Sequence, residues 1–423
     1  IFTSAALRYL RDKRIPYVLD TLRRREILLQ QFGFGGEEQE RRAHDELFSV
    51  QNSRKAYTGM LQGLQNPAFL AQKEAMERDL LGRVRSDAKL QRFAGAWETI
   101  ADSQRRRAEL IGQSVTFMSS LYEIAQNLVL MTAEDQKPSE DRLREFRDSN
   151  RESLEQELFS PAPIYEDLER AKLADSLAMF VEKRGGDHPL AKTVLAGKSP
   201  KDRAAELVEG TKLIDPTERR RLAEGGRSQV EQSTDPLIVL ARALEPEYRR
   251  LRQITDELDE LDRQGYAQIT EAKVAVEGTS GYPDATFTLR LAYGIVRGYS
   301  EDGQTIPAWT TAGGAFEHER KHGARQPWVL PESWHQKRTA LDPATPFNFV
   351  STADIIGGNS GSPVVNRAGE LVGVIFDGNI QSLTSDFFYD DSLGRAVSVD
   401  ARIVPVALRK IYDAGLLADE LGK

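Results

Sequence analysis

The sequence predicts a multidomain protein in which a large α-helical domain, residues 1–278, precedes a smaller strand-rich domain, residues 279–423. Its length of 423 residues exceeds what one ordinary hydrophobic core supports. Apolar residues recur with helical spacing before residue 278, whereas short β-branched and aromatic runs follow it. A helix-only block followed by a strand-only block indicates separate domains rather than alternating α/β units.

The helical block is rich in Leu, Ala, Glu, Arg and Gln, with apolar residues at steps of three and four. We expect several helices of unequal length, the last covering about residues 235–276. Gly and Pro predict the breaks between them, at residues 33–36, 66–67, 137–138, 161–163, 185–189 and 215–216. Mixed Arg and Glu along these helices are typical of a solvated surface rather than of a nucleic-acid or filament interface.

Composition excludes several classes of function. A formal charge of -8 and a pI near 5.5 argue against binding of a phosphate backbone, so we expect no nucleic-acid partner. No run approaches the roughly 20 apolar residues that span a bilayer. The absence of cysteine excludes disulfides, thiolate metal sites and cysteine nucleophiles. We expect no cofactor and no metal. Because the chain begins with Ile1 inside a helical pattern, we expect it to be part of a longer polypeptide.

In the second block, residues 286–296, 363–365 and 371–376 are β-branched and aromatic runs, and we expect each to be a strand. Residues 366–369, Asn-Arg-Ala-Gly, are predicted to connect the last two strands as a hairpin. The chain is expected to close with a helix over about residues 404–421.

Residues 357–363 read Gly-Gly-Asn-Ser-Gly-Ser-Pro and predict a catalytic serine. A serine hydroxyl attacks a carbonyl only if a base removes its proton and N–H groups stabilise the resulting oxyanion. Glycines before Ser360 let the loop curl, so that the N–H groups of Gly358 and Ser360 can form an oxyanion hole. The loop lies between two predicted strands, residues 347–350 and 363–365, unlike the strand-to-helix turn of α/β-hydrolases. This context fits a chymotrypsin-like barrel, and an ordinary glycine-rich turn is the alternative.

At these residues the sequence resembles the S46 family of bacterial dipeptidyl peptidases, in which a chymotrypsin-like double barrel carries an inserted helical domain. The resemblance is dense after about residue 287 and patchier before it. It rests on residues 288–294, 298–299, 310–311, 354–364, 376–379 and 398–402, and on residues 52–60 of the helical block. This chain would then hold the helical domain and the second barrel half.

The resemblance implies a serine exopeptidase that releases dipeptides from the free N-terminus of oligopeptides by way of an acyl-enzyme. By motif, Asp377 and Asn52 would hold the substrate's α-ammonium; the alternatives are a turn residue and a helix-surface asparagine. A buried charge pair of this kind is costly to break, about 3–5 kcal/mol. The resemblance also implies a homodimer and a periplasmic or secreted location.

The residue after the amine-binding aspartate divides the family, with arginine for acidic P1 side chains and glycine for bulky apolar ones. Here it is Gly378, which implies an apolar P1 preference, because a pocket without a cation penalises a buried substrate carboxylate. Asp354 lies six residues before Ser360, where trypsin-like enzymes keep a carboxylate for basic substrates. The S46 pattern has an aspartate at this position too, so we interpret Asp354 as structural and a basic P1 preference as the lesser alternative.

None of the histidines stands in the setting that the family uses for its catalytic base. We interpret all five, His44, His188, His318, His322 and His335, as surface or structural residues. His318 and His322 with Glu317 and Glu319 have a zinc-binding spacing, but an exposed charged helix is the simpler interpretation. We expect the triad His and Asp before residue 1, and a nearly inactive chain, since losing the base costs on the order of a millionfold.

Without that first barrel half, the strands at residues 287–296 and around Ser360 are expected to expose apolar edges. Two other functions remain open. One is an endoprotease of the HtrA kind, which has a similar serine loop but continues into PDZ domains and lacks the helical block. The other is a non-catalytic helical interaction protein with a degenerate peptidase remnant.

Overall fold

The computed structural model describes residues 2–279 and 289–422. Their contacts divide the chain into two compact units, each described here by itself. The helical unit comprises Thr3–Tyr57 and Lys73–Glu277. The C-terminal unit comprises Gly278–Lys423, the first two residues and Thr58–Gln72. Thr58–Gln72 has the same helical pattern as its neighbours, so nothing in the sequence predicts that it groups with the C-terminal residues.

The part of the chain before residue 278 is built of α-helices. They are α1 (Ser4–Tyr9), α2 (Ile15–Gly33), α3 (Glu37–Leu64), α4 (Pro67–Ser86), α5 (Ala96–Glu109), α6 (Ser120–Glu134), α7 (Arg151–Leu158), α8 (Glu166–Arg184), α9 (Pro189–Leu195), α10 (Pro200–Gly210), α11 (Pro216–Glu224), α12 (Gly226–Gln232) and α13 (Pro236–Glu277). A π-helical turn, Leu10–Arg14, joins α1 to α2. No described helix is long and apolar enough to cross a membrane.

All the predicted helix breaks are confirmed, and so is the long last helix. Three of the shorter helices, α9, α10 and α11, start with proline in the first turn, where its fixed φ suits the helix and its missing N–H costs nothing. The side chains of His188, Ser199 and Asp215 cap these helices by accepting a hydrogen bond from a first-turn N–H. Local capping chemistry therefore fixes these boundaries.

The core of the helical unit surrounds α6, which buries apolar side chains on all its faces. One buried polar side chain beside this core, that of Arg219, is bonded to four main-chain carbonyls. The guanidinium of Arg219, only 2% exposed, donates to the main-chain carbonyls of Leu158, Ser160, Leu213 and Ile214. It thereby ties the end of α7 to the segment before α11.

The C-terminal unit combines strands and short helices, so the expectation of a strand-only block is wrong. Its elements are β1 (Tyr299–Glu301), β2 (Gln304–Ile306), β3 (Trp309–Thr311), α14 (Ala312–Lys321), α15 (Glu332–Gln336), β4 (Pro346–Ser351), β5 (Pro363–Val365), β6 (Leu371–Gly378), β7 (Ala396–Asp400), α16 (Ile403–Lys410) and α17 (Gly415–Leu421). Strands β1 and β2 form a separate hairpin, and the other five form an antiparallel sheet in the order β3-β4-β7-β6-β5.

The predicted strands at residues 363–365 and 371–376 and the hairpin between them are confirmed as β5 and β6. The predicted closing helix is interrupted between α16 and α17, where Asp413 has a positive φ of 53°. A non-glycine residue in this conformation cannot continue a right-handed helix.

The predicted strand at residues 286–296 is wrong for its described part. From Leu289 onward only Val296 forms an isolated bridge, with Ser351, and residues 286–288 lie outside the described residues. Leu289, Leu291 and Tyr293 are 105%, 83% and 86% exposed, so the expected exposure of apolar side chains on this run is confirmed. An alternating pattern becomes a strand only when a neighbour pairs with its main chain, and in the described ranges such pairing is limited to the end of the run, where Val296 bridges Ser351 of β4.

Candidate active site

Ser360 lies in the loop between β4 and β5, at the end of the β5–β6 ladder. The N–H of Gly361 donates to the carbonyl of Ile375 at 2.8 Å, and the N–H of Ile375 donates to the carbonyl of Ser362 at 3.1 Å. These two bonds extend the pairing of the strands up to the serine. Ser360 itself is exposed. The sheet therefore holds the hydroxyl at a defined place while leaving it open to solvent.

The loop before the serine is stabilised by its own polar groups. The side-chain oxygen of Asn359 accepts from the N–H of Ile356 at 3.0 Å, and the N–H of Asn359 donates back to the carbonyl of Ile356 at 3.2 Å. Gly358 and Gly361 have φ of 101° and 87°, which side chains strongly disfavour. Gly358 and Gly361 are therefore required by the turn on either side of Ser360.

The hydroxyl of Ser360 donates to the carbonyl of Phe376 at 3.3 Å. Within residues 2–279 and 289–422, the N–H groups of Gly358 and Ser360 donate no hydrogen bond. Since both residues are exposed, these two donors are available to an oxyanion. The predicted nucleophile and the predicted oxyanion-hole N–H thus lie on the same short turn.

No histidine hydrogen-bonds to Ser360 among the described residues. His318 and His322 stack on each other and on Trp328, with ring centroids 4.3–5.1 Å apart. The carboxylate of Glu319 is buried, facing the Nε2 of His335 at 3.0 Å and the N–H of Leu330 at 2.8 Å. The interpretation of an exposed charged helix is therefore wrong for Glu319, whose hydrogen bonds connect α14 to the segment entering α15.

Asp377 follows a β-bulge in β6. Ile375 pairs with Ser398 and Asp377 with the next residue of β7, Val397, so that Phe376 is an extra residue without a partner on β7. Without the bulge, Asp377 would face the same side of the sheet as the buried Ile375. The bulge instead leaves the Asp377 carboxylate exposed, and among the described residues it has no cationic partner. A carboxylate in this state is free to bind a ligand cation.

Gly378 ends β6 and contacts the turn that follows it. A Cβ at this position would lie 2.3 Å from the hydroxyl oxygen of Ser382 and 3.4 Å from the Cδ1 of Ile355. Ser382 lies in a 3-10 turn, Ile380–Thr384. This turn carries no sequence motif, so the sequence does not predict Ser382 as a neighbour of Gly378. The surroundings of Gly378 formed by these two residues are neutral.

Asn52 lies on α3 in the helical unit, whereas Ser360, Asp377 and Gly378 lie in the C-terminal unit. Its side chain is exposed, and it makes no hydrogen bond within the described ranges. Its neighbours Gln51 and Arg54 are instead engaged with Glu26. Asn52 is therefore available to a ligand.

Asp354 is held by Arg290. The guanidinium donates to the main-chain carbonyl of Asp354 at 3.1 Å and lies 3.8 Å from its carboxylate. Burial raises the pKa of the nearby Asp386 carboxyl, and the negative charge of Asp354 raises it further. The partner Arg290 favours a structural role for Asp354. In the described ranges, no three His, Asp or Glu side chains are placed to share a metal ion.

Comparison with known proteins identifies the class and then the family. Crystal structures of Porphyromonas endodontalis DPP11 match the fold; the one in complex with the dipeptide Arg-Glu has a TM-score of 0.78 at 20% identity, covering 100% of this chain and 62% of that chain. At this identity the match establishes the fold alone. The chain belongs to the peptidase S46 family, which it matches over residues 1–423. The predicted resemblance is confirmed.

The curated relatives include dipeptidyl peptidases with two different names. An Asp/Glu-specific dipeptidyl-peptidase of Shewanella putrefaciens is 27% identical over 422 residues, covering 88% of this chain and 56% of the relative. A dipeptidyl-peptidase 7 of Phocaeicola vulgatus is 42% identical over 146 residues, covering 33% of this chain and 20% of the relative. The chain thus spans little more than half the length of the first relative and a fifth of the second.

Proposed function

We propose that this protein acts as a serine dipeptidyl peptidase, releasing dipeptides from the free N-terminus of oligopeptides. The observation that carries the proposal is the exposed hydroxyl of Ser360 on a glycine turn whose N–H groups at Gly358 and Ser360 are unoccupied within the described ranges. Membership of the peptidase S46 family supports it, as do relatives that are named dipeptidyl peptidases.

In the proposed reaction, the Ser360 oxygen attacks the carbonyl of the second substrate residue after a base has taken its proton. The N–H groups of Gly358 and Ser360 stabilise the negative charge on the carbonyl oxygen. The C–N bond then breaks, the shortened peptide leaves as an amine with a proton from the base, and water hydrolyses the acyl-enzyme. Since the described contacts link no histidine to Ser360, we assign the base to residues outside this chain, in the first half of a chymotrypsin-like double barrel.

Asp377 is proposed to anchor the substrate amine, and Asn52 is proposed as its second partner on the family resemblance alone. Asp377 follows directly on Phe376, whose carbonyl contacts the Ser360 hydroxyl; its exposed carboxylate accepts from the N–H of Gly378 at 2.8 Å and has no cationic partner among the described residues. An ammonium held beside the nucleophile fixes how far the attacked carbonyl lies from the N-terminus. The amide oxygen of Asn52 would accept a second hydrogen bond from the same ammonium. Such an anchor selects dipeptides and excludes acylated N-termini.

Gly378 is proposed to leave the P1 pocket uncharged. The atoms that a Cβ there would meet belong to Ser382 and Ile355, so neither side chain offers a cation to a substrate carboxylate. Burying an unpaired carboxylate is strongly unfavourable, whereas an apolar side chain is stabilised by burial. We therefore infer a preference for bulky apolar P1 residues. A homodimeric state and a periplasmic or secreted location belong to the same proposal, on family grounds.

The test is cleavage by the full-length protein of a fluorogenic dipeptide that ends in Leu or Phe and has a free amine. Its N-acylated twin and an Asp-ending dipeptide are the matched substrates. Cleavage of the free apolar dipeptide alone supports both the amine anchor and the neutral pocket. Equal cleavage of the acylated twin would favour an endoprotease, and no cleavage of any substrate would favour a non-catalytic protein.

A further inference from the structure

The 3-10 turn Ile380–Thr384 lies directly against Gly378, and Asn379 organises it. The Asn379 side-chain oxygen accepts from the N–H of Ser382 at 3.2 Å and from the N–H of Arg395 at 2.8 Å. Its amide donates to the carbonyl of Leu393 at 2.8 Å, and the Ser382 hydroxyl donates to the Asn379 carbonyl at 2.7 Å. The Ser382 oxygen, which lies where a side chain on Gly378 would begin, is thus fixed by the turn.

The same turn is packed against the end of α3, which belongs to the C-terminal unit from Thr58 onward. A Cβ on Gly59 would lie 2.4 Å from the Cδ1 of Leu383 and 2.8 Å from the Cγ1 of Ile380. A Cβ on Gly63 would lie 2.0 Å from the Cγ2 of Thr384. These distances are far below van der Waals contact, so glycine at both positions is what allows the helix to approach this closely.

Gly59 and Gly63 are four residues apart and therefore share one face of α3. Glycine at these two positions lowers the stability of the helix, because alanine is the better helix former. Helix stability alone thus gives no reason for glycine here, whereas the contact with the turn does. The turn is held between this helix face and Gly378, so a displacement on one side is transmitted to the other.

We propose that Gly59 and Gly63 are positioning residues, which set the place of Ser382 and thereby the shape of the P1 pocket beside Gly378. The inference rests on the proposed function in taking Gly378 as part of that pocket. It identifies the end of α3, outside the strand-rich sequence, as a determinant of substrate selectivity.

The test adds a methyl group on one side of the contact and, in a second variant, removes one from the other side. Gly63→Ala adds a methyl that clashes with the Thr384 methyl, and Thr384→Ser removes the latter while keeping the hydroxyl. In full-length protein we expect Gly63→Ala to change the ratio of kcat/KM for P1 Phe over P1 Ala by about fivefold or more, as overpacking shifts the turn. The double variant Gly63→Ala/Thr384→Ser restores the ratio. The control is Gly82→Ala, a helical position whose Cβ would meet nothing within 4 Å, and it leaves the ratio unchanged.

Amide hydrogen exchange over residues 377–395 gives a readout that does not require peptidase activity. We expect faster exchange in Gly63→Ala and normal exchange in the double variant. Unchanged exchange and an unchanged selectivity ratio would overturn the inference, as would lower stability without rescue by Thr384→Ser. If the wild-type protein cleaves no dipeptide, the proposed function fails, and the exchange result alone still decides whether the glycines position the turn.

Discussion

The hydroxyl of Ser360 donates to the main-chain carbonyl of Phe376, the extra residue of the bulge in β6. One bulge therefore has two consequences: it turns a carbonyl toward the nucleophile and leaves the carboxylate of the next residue, Asp377, exposed. Bulges are common beside active sites because they re-aim side chains without interrupting the sheet. The proposed nucleophile and the proposed amine anchor are thus coupled through a single irregularity of the backbone.

Replacing Ser360 by alanine is expected to abolish peptide cleavage, by on the order of a millionfold in kcat. The fold should be retained, because the hydroxyl is exposed and its hydrogen bond is a long 3.3 Å. Steady-state kinetics of the full-length protein measure the loss of cleavage, and circular dichroism measures whether the fold is retained. Ser362→Ala is the control, since in the described contacts residue 362 bonds through its main chain. Activity in Ser360→Ala would place the nucleophile elsewhere.

Gly358→Ala is expected to lower kcat by about tenfold, since an L-residue at positive φ costs about 1–2 kcal/mol and the turn would relax away from its oxyanion geometry. Gly357→Ala should keep nearly full activity, because a Cβ there would meet nothing within 4 Å. Comparing kcat for the two variants separates the effect of backbone strain at residue 358 from the effect of simply adding a methyl group to the loop. Equal losses would show that the φ of 101° at Gly358 is not what the reaction needs.

Asp377→Asn is expected to lower kcat/KM for free-amine dipeptides by about 10- to 100-fold, because a hydrogen bond to a charged group is worth about 1.5–3 kcal/mol. The low rate on the N-acylated twin should not change, since that substrate has no ammonium. Asp302→Asn is the matched control, an exposed carboxylate on the β1–β2 turn. An equal fall with both substrates would assign Asp377 to the structure of the loop rather than to the amine.

A double-mutant cycle of Asn52→Ala with Asp377→Asn tests the second half of the anchor. If both side chains bind one ammonium, their effects on kcat/KM should be non-additive by about 0.5 kcal/mol or more. Gln51→Ala in place of Asn52→Ala gives the control cycle, because Gln51 bonds to Glu26. Strict additivity would leave Asn52 as a helix-surface residue.

Some of this architecture follows from local sequence. The predicted helix breaks are correct because proline, glycine and capping side chains act within a few residues, as Asp215 does for the N–H of Thr217. The position of Ser360 between two predicted strands is likewise confirmed, because its glycines and the flanking β-branched runs are adjacent in sequence.

Other features depend on partners far away in sequence and were missed. The run from Leu289 has a strand pattern, but among the described residues it meets a strand only at Val296, which bridges Ser351 of β4. The bulge at Phe376 is set by pairing with β7, and the contact of Gly63 with Thr384 joins residues more than 300 positions apart. Neither the bulge nor this contact leaves a periodic or compositional signal in the local sequence.

The helical unit should lose stability on acidification through Glu134. Burial would raise the pKa of this carboxyl, but hydrogen bonds from Lys137, from the N–H of Leu143 and from Arg249 outweigh it and hold the pKa below its ordinary value of 4.5. A carboxyl with a depressed folded-state pKa stabilises the fold above the unfolded pKa. That contribution is lost as the pH falls from about 4.5 through the folded pKa.

Glu134→Gln should therefore be destabilised by about 1–3 kcal/mol at pH 7 and should lose less stability than wild type below pH 4.5. Urea unfolding of this chain at pH 7 and pH 3.5 measures both effects. Glu152→Gln, at an exposed position without an ion pair in the described part of the chain, is the control. Parallel pH profiles for wild type and Glu134→Gln would contradict the assignment.

The most direct test of the central claim is mass spectrometry of an unmodified decapeptide, with apolar residues at positions two and four, during digestion by the full-length protein. Stepwise loss of two residues at a time from the N-terminus, absent when that N-terminus is acetylated and absent in Ser360→Ala, is the predicted result. Internal fragments that appear at equal rates from the free and the acetylated peptide would contradict it.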